Sequence, residues 1–454
     1  MDYLKMLENF DFAKIGCDFA DIRIEERNVS SIKMENHSVA NGIQENNLSA
    51  FIRIYNEGRW FYKSISDIST AEEKAVLLSK TAKTFSGKSK EFYKLSKPQK
   101  TILKKYSENN TLSVPLSEKK DLLFFYDSLT KNTPECKITQ SSYIDRYSRV
   151  YYKNSQGVQS EYDFSGCQIG VSYILSDGTE QFADNHRVYG VNINDLLKKE
   201  KEFSQSIEES RLFLKAPNIT PGVYPLILSP MTTGVFAHES FGHKSESDFM
   251  LGDENMKKEW EIGKKVGSSI LSIIDDGNLE DVSGYCPIDD EGTPAEKTYL
   301  IKNGILTGRL HSLSTAEELG EKPTGNARAI NTEFEPIVRM TNTYVDKGDS
   351  SFEELVSGID NGFYIKSLKH GSGLSTFTIA PLRAYSIKSG KIGEPVKISV
   401  ITGNVFETLG DIDGLSKEIT LVSSLMGGCG KMEQYPLRVS FGGPFMRVSK
   451  MNAS

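Results

Sequence analysis

Apolar and polar residues alternate through Asp21-Ile22-Arg23-Ile24-Glu25 and again through Phe51-Ile52-Arg53-Ile54-Tyr55. That period of two puts every second side chain on one face of a half-buried strand. Asn56-Glu57-Gly58 supplies a turn before Arg59-Trp60-Phe61-Tyr62, so the segment predicts an antiparallel hairpin. Ala71 to Phe85 is rich in helix formers, whereas Gly87 to Lys100 has little periodicity and reads as a connection. Leu122, Phe125, Tyr126 and Leu129 recur at helical spacing within Ser117 to Lys131, predicting an amphipathic helix capped by Ser117. From Ser141 to Gly190 aromatic and β-branched residues alternate with polar ones, broken at Ser155-Gln156-Gly157 and Ser176-Asp177-Gly178, the pattern of two or three hairpin-linked strands. Asn194 to Leu214 returns to a charged, helical pattern.

Two prolines and a glycine within Ala216-Pro217-Asn218-Ile219-Thr220-Pro221-Gly222 favour extended linker backbone and mark a boundary. Beyond it Asn303-Gly304, Ser389-Gly390, Asp413-Gly414 and Gly442-Gly443-Pro444 separate short apolar runs, as between many antiparallel strands, and Asn452-Ala453-Ser454 reads as a tail. The pattern therefore predicts an α+β protein. Residues 1–215 form an N-terminal mixed domain with an antiparallel sheet and flanking helices, and residues 216–454 a β-rich C-terminal domain. The length of 454 residues agrees with two domains, since single cores stop growing at roughly 250 to 300 residues.

Composition narrows the function classes. A formal charge of -7 argues against a nucleic-acid backbone as the main partner, which demands a basic face. No apolar run approaches the roughly 18 residues of a membrane span, and Met1-Asp2-Tyr3-Leu4-Lys5 begins no charged-then-apolar signal, so a cytoplasmic protein is expected. Five cysteines, odd in number and widely spaced, do not fit a secreted disulfide framework.

The sharpest chemical feature is His238-Glu239-Ser240-Phe241-Gly242-His243, which holds two of only six histidines. Neutral imidazoles are good ligands for zinc and similar ions, and a carboxylate beside the first can take a proton from an attacking water. The two are five residues apart, about 140° around an ideal α-helix, so both face one ion only if the turn is widened, as in a π-bulge, or if the helix ends there. Gly242 makes either distortion cheaper. The bland reading is an amphipathic helix with one surface and one core histidine. A catalytic site needs a third ligand. Cys429, flanked by glycines in Met426-Gly427-Gly428-Cys429-Gly430-Lys431, is one candidate, against its reading as a buried cysteine in a tight turn. His311, Glu246 and Asp248 are the others: the two carboxylates fit better as supporting groups, and His311 as a residue pointing outward from a strand. His37, His186 and His370 have no partner pattern.

Taken in order, His238 to Asp248, Asp289-Asp290-Glu291-Gly292, Thr324-Gly325-Asn326-Ala327-Arg328, Arg339-Met340-Thr341-Asn342-Thr343 and Gly427-Gly428-Cys429-Gly430-Lys431 leading to Gln434 and Pro436 resemble the TldD/PmbA family, the modulators of DNA gyrase, over nearly the whole chain. The resemblance implies a metallopeptidase whose metal is held by His238, His243 and Cys429, with Glu239 activating water. The PmbA or TldE member lacks the metal motif, so its presence here implies the TldD side. Ala329 departs from the pattern, standing where the family often has a second arginine. The resemblance also implies a homodimer, or a heterodimer with a TldE-like subunit, around a chamber that admits unfolded or small peptides.

The expected function is therefore a metal-dependent peptidase using Zn2+, with Fe2+ or Mn2+ as alternatives that histidine ligands also tolerate. The rival is a non-catalytic modulator or partner subunit, acting on gyrase or on a toxin and antitoxin pair, with a structural metal; a fourth protein ligand would favour it. A redox sensor built on Cys429 lacks a nearby second cysteine.

Overall fold

The computed structural model describes residues 3–85, 99–373 and 375–454. A short helix α1 (Tyr3–Asn9) leads into one long-stranded sheet made of β1 (Phe19–Glu35), β2 (Ser38–Asn56), β3 (Arg59–Ile65), β4 (Gln99–Leu103), β5 (Cys136–Asn154), β6 (Val158–Ser176) and β7 (Gln181–Gly190). The order is β3-β2-β1-β5-β6, with β4 and β7 both on β6, β4 parallel and β7 antiparallel. Helices α2 (Ala71–Ala82), α3 (Leu116–Ser128) and α4 (Glu200–Leu212) flank it. The hairpin at Asn56-Glu57-Gly58 forms as the alternation requires, with φ of 50° at Glu57 and 82° at Gly58.

Three details of this half differ from the sequence reading. Most of the Gly87–Lys100 connection lies outside the described residues, and its last residue, Lys100, belongs to β4. Ser117 is not a cap, because α3 starts one residue earlier, behind Pro115. The buried face of α3 is also turned. Lys119, Leu123, Tyr126 and Asp127 point inward while Phe125 is 47% exposed. Polar pairing decides that rotation: Lys119 reaches Asp145 at 2.6 Å, and Asp127 accepts from Ser141 at 2.6 Å and bonds His37 at 2.7 Å.

Past residue 216 the strands shorten and their partners become distant. In a second seven-stranded sheet β8 (Gly222–Leu228) lies between Asn361–Gly373, parallel to it, and Met446–Ala453, antiparallel. A six-stranded sheet includes Ile273–Asp276, Asn342–Val345 and Ser440–Gly443. The turns at Asn303-Gly304 and Ser389-Gly390 form with positive φ. Asp413-Gly414 is not a turn but part of the strand Ile412–Leu415, which pairs with Met446–Val448 through an irregularity in register between Ile412 and Gly414. Nor is Asn452-Ala453 a loose tail, since Ala453 pairs with Gly222 and Ile401. The result is α+β, with antiparallel sheets and a β-rich C-terminal region. No helix among the described residues is long and apolar enough to cross a membrane.

The largest apolar core fills this region, and helix α5 (Pro230–Ala237) and the turn after it are driven into it by Phe236, Ala237 and Phe241, each at most 1% exposed. Ser229 caps α5, accepting from the Thr232 N–H, and Pro230 opens it at a position where no donor is needed.

Candidate metal centre

Immediately after α5 the helix widens. His238–Gly242 is a π-helical turn closed by the His243 N–H on the His238 carbonyl, and a 3-10 turn, His243–Ser245, follows. The extra residue in the turn brings two side chains five apart onto one side, with ring centroids 5.2 Å apart. Gly242 is needed here for a reason other than backbone freedom: its φ of -56° and ψ of -50° are ordinary, but a Cβ would sit 2.1 Å from the Met340 sulfur.

Cys429 arrives from the far end of the chain. It starts the strand Cys429–Lys431, paired with Gln434–Leu437, and Gly428 lets the two strands close, since a Cβ there would meet the Leu437 carbonyl at 2.3 Å. Fully buried Arg339 clamps the hairpin, donating to the Cys429 carbonyl at 2.8 Å and the Gln434 carbonyl at 3.3 Å. The Cys429 sulfur lies 3.4 Å from Nε2 of His243, and one ligand atom from each of His238, His243 and Cys429 fits within 4.8 Å of the other two.

The surroundings set the charge states. Nδ1 of His243 donates to Glu246 at 3.1 Å, which leaves Nε2 for the centre, the usual support of a ligating histidine. Glu246 is fully buried, and burial alone would raise its pKa; the His243 hydrogen bond and the Lys431 charge hold it below the ordinary carboxylate value. Lys431 bonds Glu246 at 3.1 Å, Asp248 at 2.6 Å and the Val338 carbonyl at 2.9 Å. Burial would likewise raise the Cys429 thiol, but His238 and His243 outweigh it and draw it down to about 5. Burial would lower His243, and its hydrogen bonds to Cys429 and Glu246 instead push it up to about 10. The sulfur is therefore a thiolate at neutral pH, the form in which cysteine binds metal.

A divalent ion fits this donor set. Two imidazoles and a thiolate match the chemistry of zinc sites. Nδ1 of His238 is buried without a hydrogen-bond partner among the described residues, a donor set left short inside the protein. Half-buried Glu239, next in sequence to His238, has no hydrogen bond or ion pair to its carboxylate among the described residues.

The remaining candidates fall into supporting places. Glu246 and Asp248 hold Lys431 rather than the centre. His311 does not point outward; it is 1% exposed, with Nδ1 3.2 Å from Thr315 and Nε2 2.9 Å from Glu321. His37 bonds Asp127, His186 packs on Phe203 and His370 is exposed. All five cysteines are free. The roles of Arg339 and Lys431 were not apparent from sequence, although Lys431, two residues after Cys429 on a strand, must share its face.

Comparison with known proteins identifies the family of the whole chain. Residues 221–454 match the family model of the PmbA/TldA metallopeptidase C-terminal domain, 109–209 that of the central domain and 20–82 that of domain 1. The chain is 30% identical to a metalloprotease of Synechocystis sp. over 95% of its length and 93% of the relative's. It is 28% identical to a protein of Saccharolobus solfataricus named zinc metalloprotease TldD homolog, over 99% and 98% of the two. The crystal structure of TldE from Thermococcus kodakarensis shares the fold with a TM-score of 0.78 at 16% identity, covering 100% and 99% of the two chains. With three matching domains around a His-His-Cys cluster, the chain belongs to the TldD/PmbA family of metallopeptidases.

Proposed function

We propose that this protein is a peptidase in which His238, His243 and Cys429 hold one divalent ion and Glu239 is the general base. The observation that carries the reading is the convergence of two imidazoles and a thiolate, with Glu239, next in sequence to His238, keeping a carboxylate that no described protein group engages. Three protein donors leave a position for water or substrate, as in catalytic rather than structural zinc sites, which weighs against the modulator reading. When bound, the ion supplies Lewis acidity toward a peptide carbonyl and makes water easier to deprotonate. Glu239 takes the proton of the attacking water and hands it to the leaving amine nitrogen as the C–N bond breaks. Glu246 fixes the tautomer of His243, and Lys431 balances the charge that Glu246 brings.

Zinc is the first ion to test, because a relative carries it in its name, with iron and manganese next. The substrates are unfolded or small peptides, bound as an added strand through main-chain hydrogen bonds. The working unit is a dimer, with itself or with a TldE-like subunit, in the cytoplasm. Glu239→Gln should keep the metal, measured by elemental analysis, and lower kcat on an unstructured peptide by about 10²- to 10⁴-fold. Cleavage by that variant at the unaltered rate rules Glu239 out as the base.

A further inference from the structure

Beside the metal centre, between the N-terminal sheet and the Cys429 hairpin, runs a cleft lined by Arg23, Glu25, Arg146, Asp290, Arg328 and Arg438. Four arginines there face two carboxylates, an excess of two positive charges in a chain whose formal charge is -7. The carboxylates are already taken: Arg23 pairs with Asp290 and Arg146 with Glu25. Among the described residues Arg328, 3% exposed, donates only to main chain, at the carbonyls of Met340 and Arg438. Arg438 donates to the Ser283 carbonyl at 2.8 Å and lies 3.7 Å from the centre of the Phe164 ring. Among the described residues neither has a carboxylate partner. Nε of Arg146 is a further buried donor with no acceptor among the described residues. Burial first, then the charges of Arg146 and Arg328, press the Arg438 guanidinium down to about 10.

Uncompensated guanidinium groups are costly to bury, and a fold keeps them where an anion comes to them. The cleft adjoins the centre through several contacts. Leu437 on its wall pairs across the hairpin with Cys429. Arg328 holds the carbonyl of Met340, whose N–H donates to Glu246, the carboxylate that holds His243. A neighbouring groove shares Arg146 and Arg438 and runs on to Gly427, two residues before Cys429.

We propose that this cleft is a subsite for a carboxylate of the peptide substrate, read by Arg438 together with Arg146. A planar two-oxygen anion matches the guanidinium fork and meets the donors that the protein leaves short. The substrate class rests on the peptidase reading, while the binding of a carboxylate does not. The group comes either from the C-terminus of the peptide or from an acidic side chain.

Three fluorescent, unstructured peptides separate these sources: one with a free C-terminal acid and no acidic residue, its C-terminal amide, and the amide with one glutamine replaced by glutamate. Anisotropy on the full-length chain carrying Glu239→Gln gives Kd, and the metal-loaded natural chain gives kcat/KM. The neutral amide is expected to bind roughly ten- to a hundredfold more weakly than at least one acidic peptide. Arg438→Met should bring that ratio to near one, and Arg438→Lys should keep part of it; ratios within one variant cancel any general loss of folded protein. Equal Kd for all three peptides, or a preference that survives Arg438→Met, overturns the proposal. If the acidic peptides are preferred in binding and none is cleaved, the carboxylate subsite stands and the peptidase reading falls; cleavage with no preference gives the reverse.

Discussion

Two buried polar clusters tie distant parts of this chain together, and they are built on opposite principles. Around Arg53 every charge is answered. Its Nε donates to both oxygens of Asp21 at 3.1 and 3.0 Å, and Nη1 to Glu291 at 2.7 Å; Asp21 also accepts from the Tyr152 hydroxyl, and the second Glu291 oxygen from the Leu313 N–H. At the candidate metal centre neither Nδ1 of His238 nor the Glu239 carboxylate has a partner among the described residues. Saturation is what a cluster needs to hold a fold. A deficit inside the protein costs stability, and it makes sense where a ligand supplies what is missing. The arginine cleft, with two guanidiniums bonded only to carbonyls, sides with the metal centre.

The most forceful way to break this contrast is to remove Arg53. Arg53→Met leaves Asp21 and Glu291, which are 2% and 3% exposed, without their cation, and should cost about 3–5 kcal/mol in urea unfolding. The metal affinity of the molecules that remain folded should not change. Replacing Arg53, Asp21 and Glu291 together by apolar residues should cost less than replacing the arginine alone. A loss below about 1 kcal/mol for the single change would mean that the cluster is not the saturated structural unit described.

The same contrast governs what the sequence revealed. Elements whose partners lie next in the chain were legible: the β2–β3 hairpin from its alternation and Asn56-Glu57-Gly58, and β5, β6 and β7 from two turn signals. The histidine spacing was legible as well, because a five-residue interval brings both rings to one side only through a widened turn or a helix end, and the π turn at His238–Gly242 is the first of these. Partners separated by long stretches left no local trace. Nothing near β8 points to its seat between strands more than 130 and 210 residues away, as in the pairings of Leu226 with Phe363 and Val448. The misjudged face of α3 has the same origin, since Asp145 fixes Lys119 inward from a different element. His311 was misjudged because Glu321, which buries it, lies beyond the helix Leu313–Leu319. Cys429 stood out as a candidate by its flanking glycines, but these fit a tight turn equally well, and its choice as a ligand came through family resemblance.

A finer test asks whether the saturated shell around the centre tunes the unsaturated ligands. Glu246→Gln keeps the shape but removes the charge that His243 and Lys431 both address. The dissociation constant for zinc, measured by competition with a chelator, should rise by about 10- to 100-fold. An unchanged constant would show that the carboxylate only fills space.

The smallest expected effect follows from the protons that the centre holds before an ion binds. With the Cys429 thiol drawn down to about 5 and His243 pushed up to about 10, the metal-free site at neutral pH is a thiolate facing an imidazolium. An ion must displace the His243 proton, so at pH 7 to 8 binding releases that proton, and affinity rises about tenfold per pH unit there. Above pH of about 10 His243 is already neutral and the dependence flattens; below about 5 the thiolate is protonated too and the slope steepens. Calorimetry at pH 7 and 8 in buffers of different ionisation enthalpy measures that proton directly, after correction for metal and buffer equilibria. A release near zero would mean that His243 waits in its neutral form. In that case the short thiolate–histidine contact could not be an ion pair, and the deficit at this centre would be larger than its hydrogen bonds indicate.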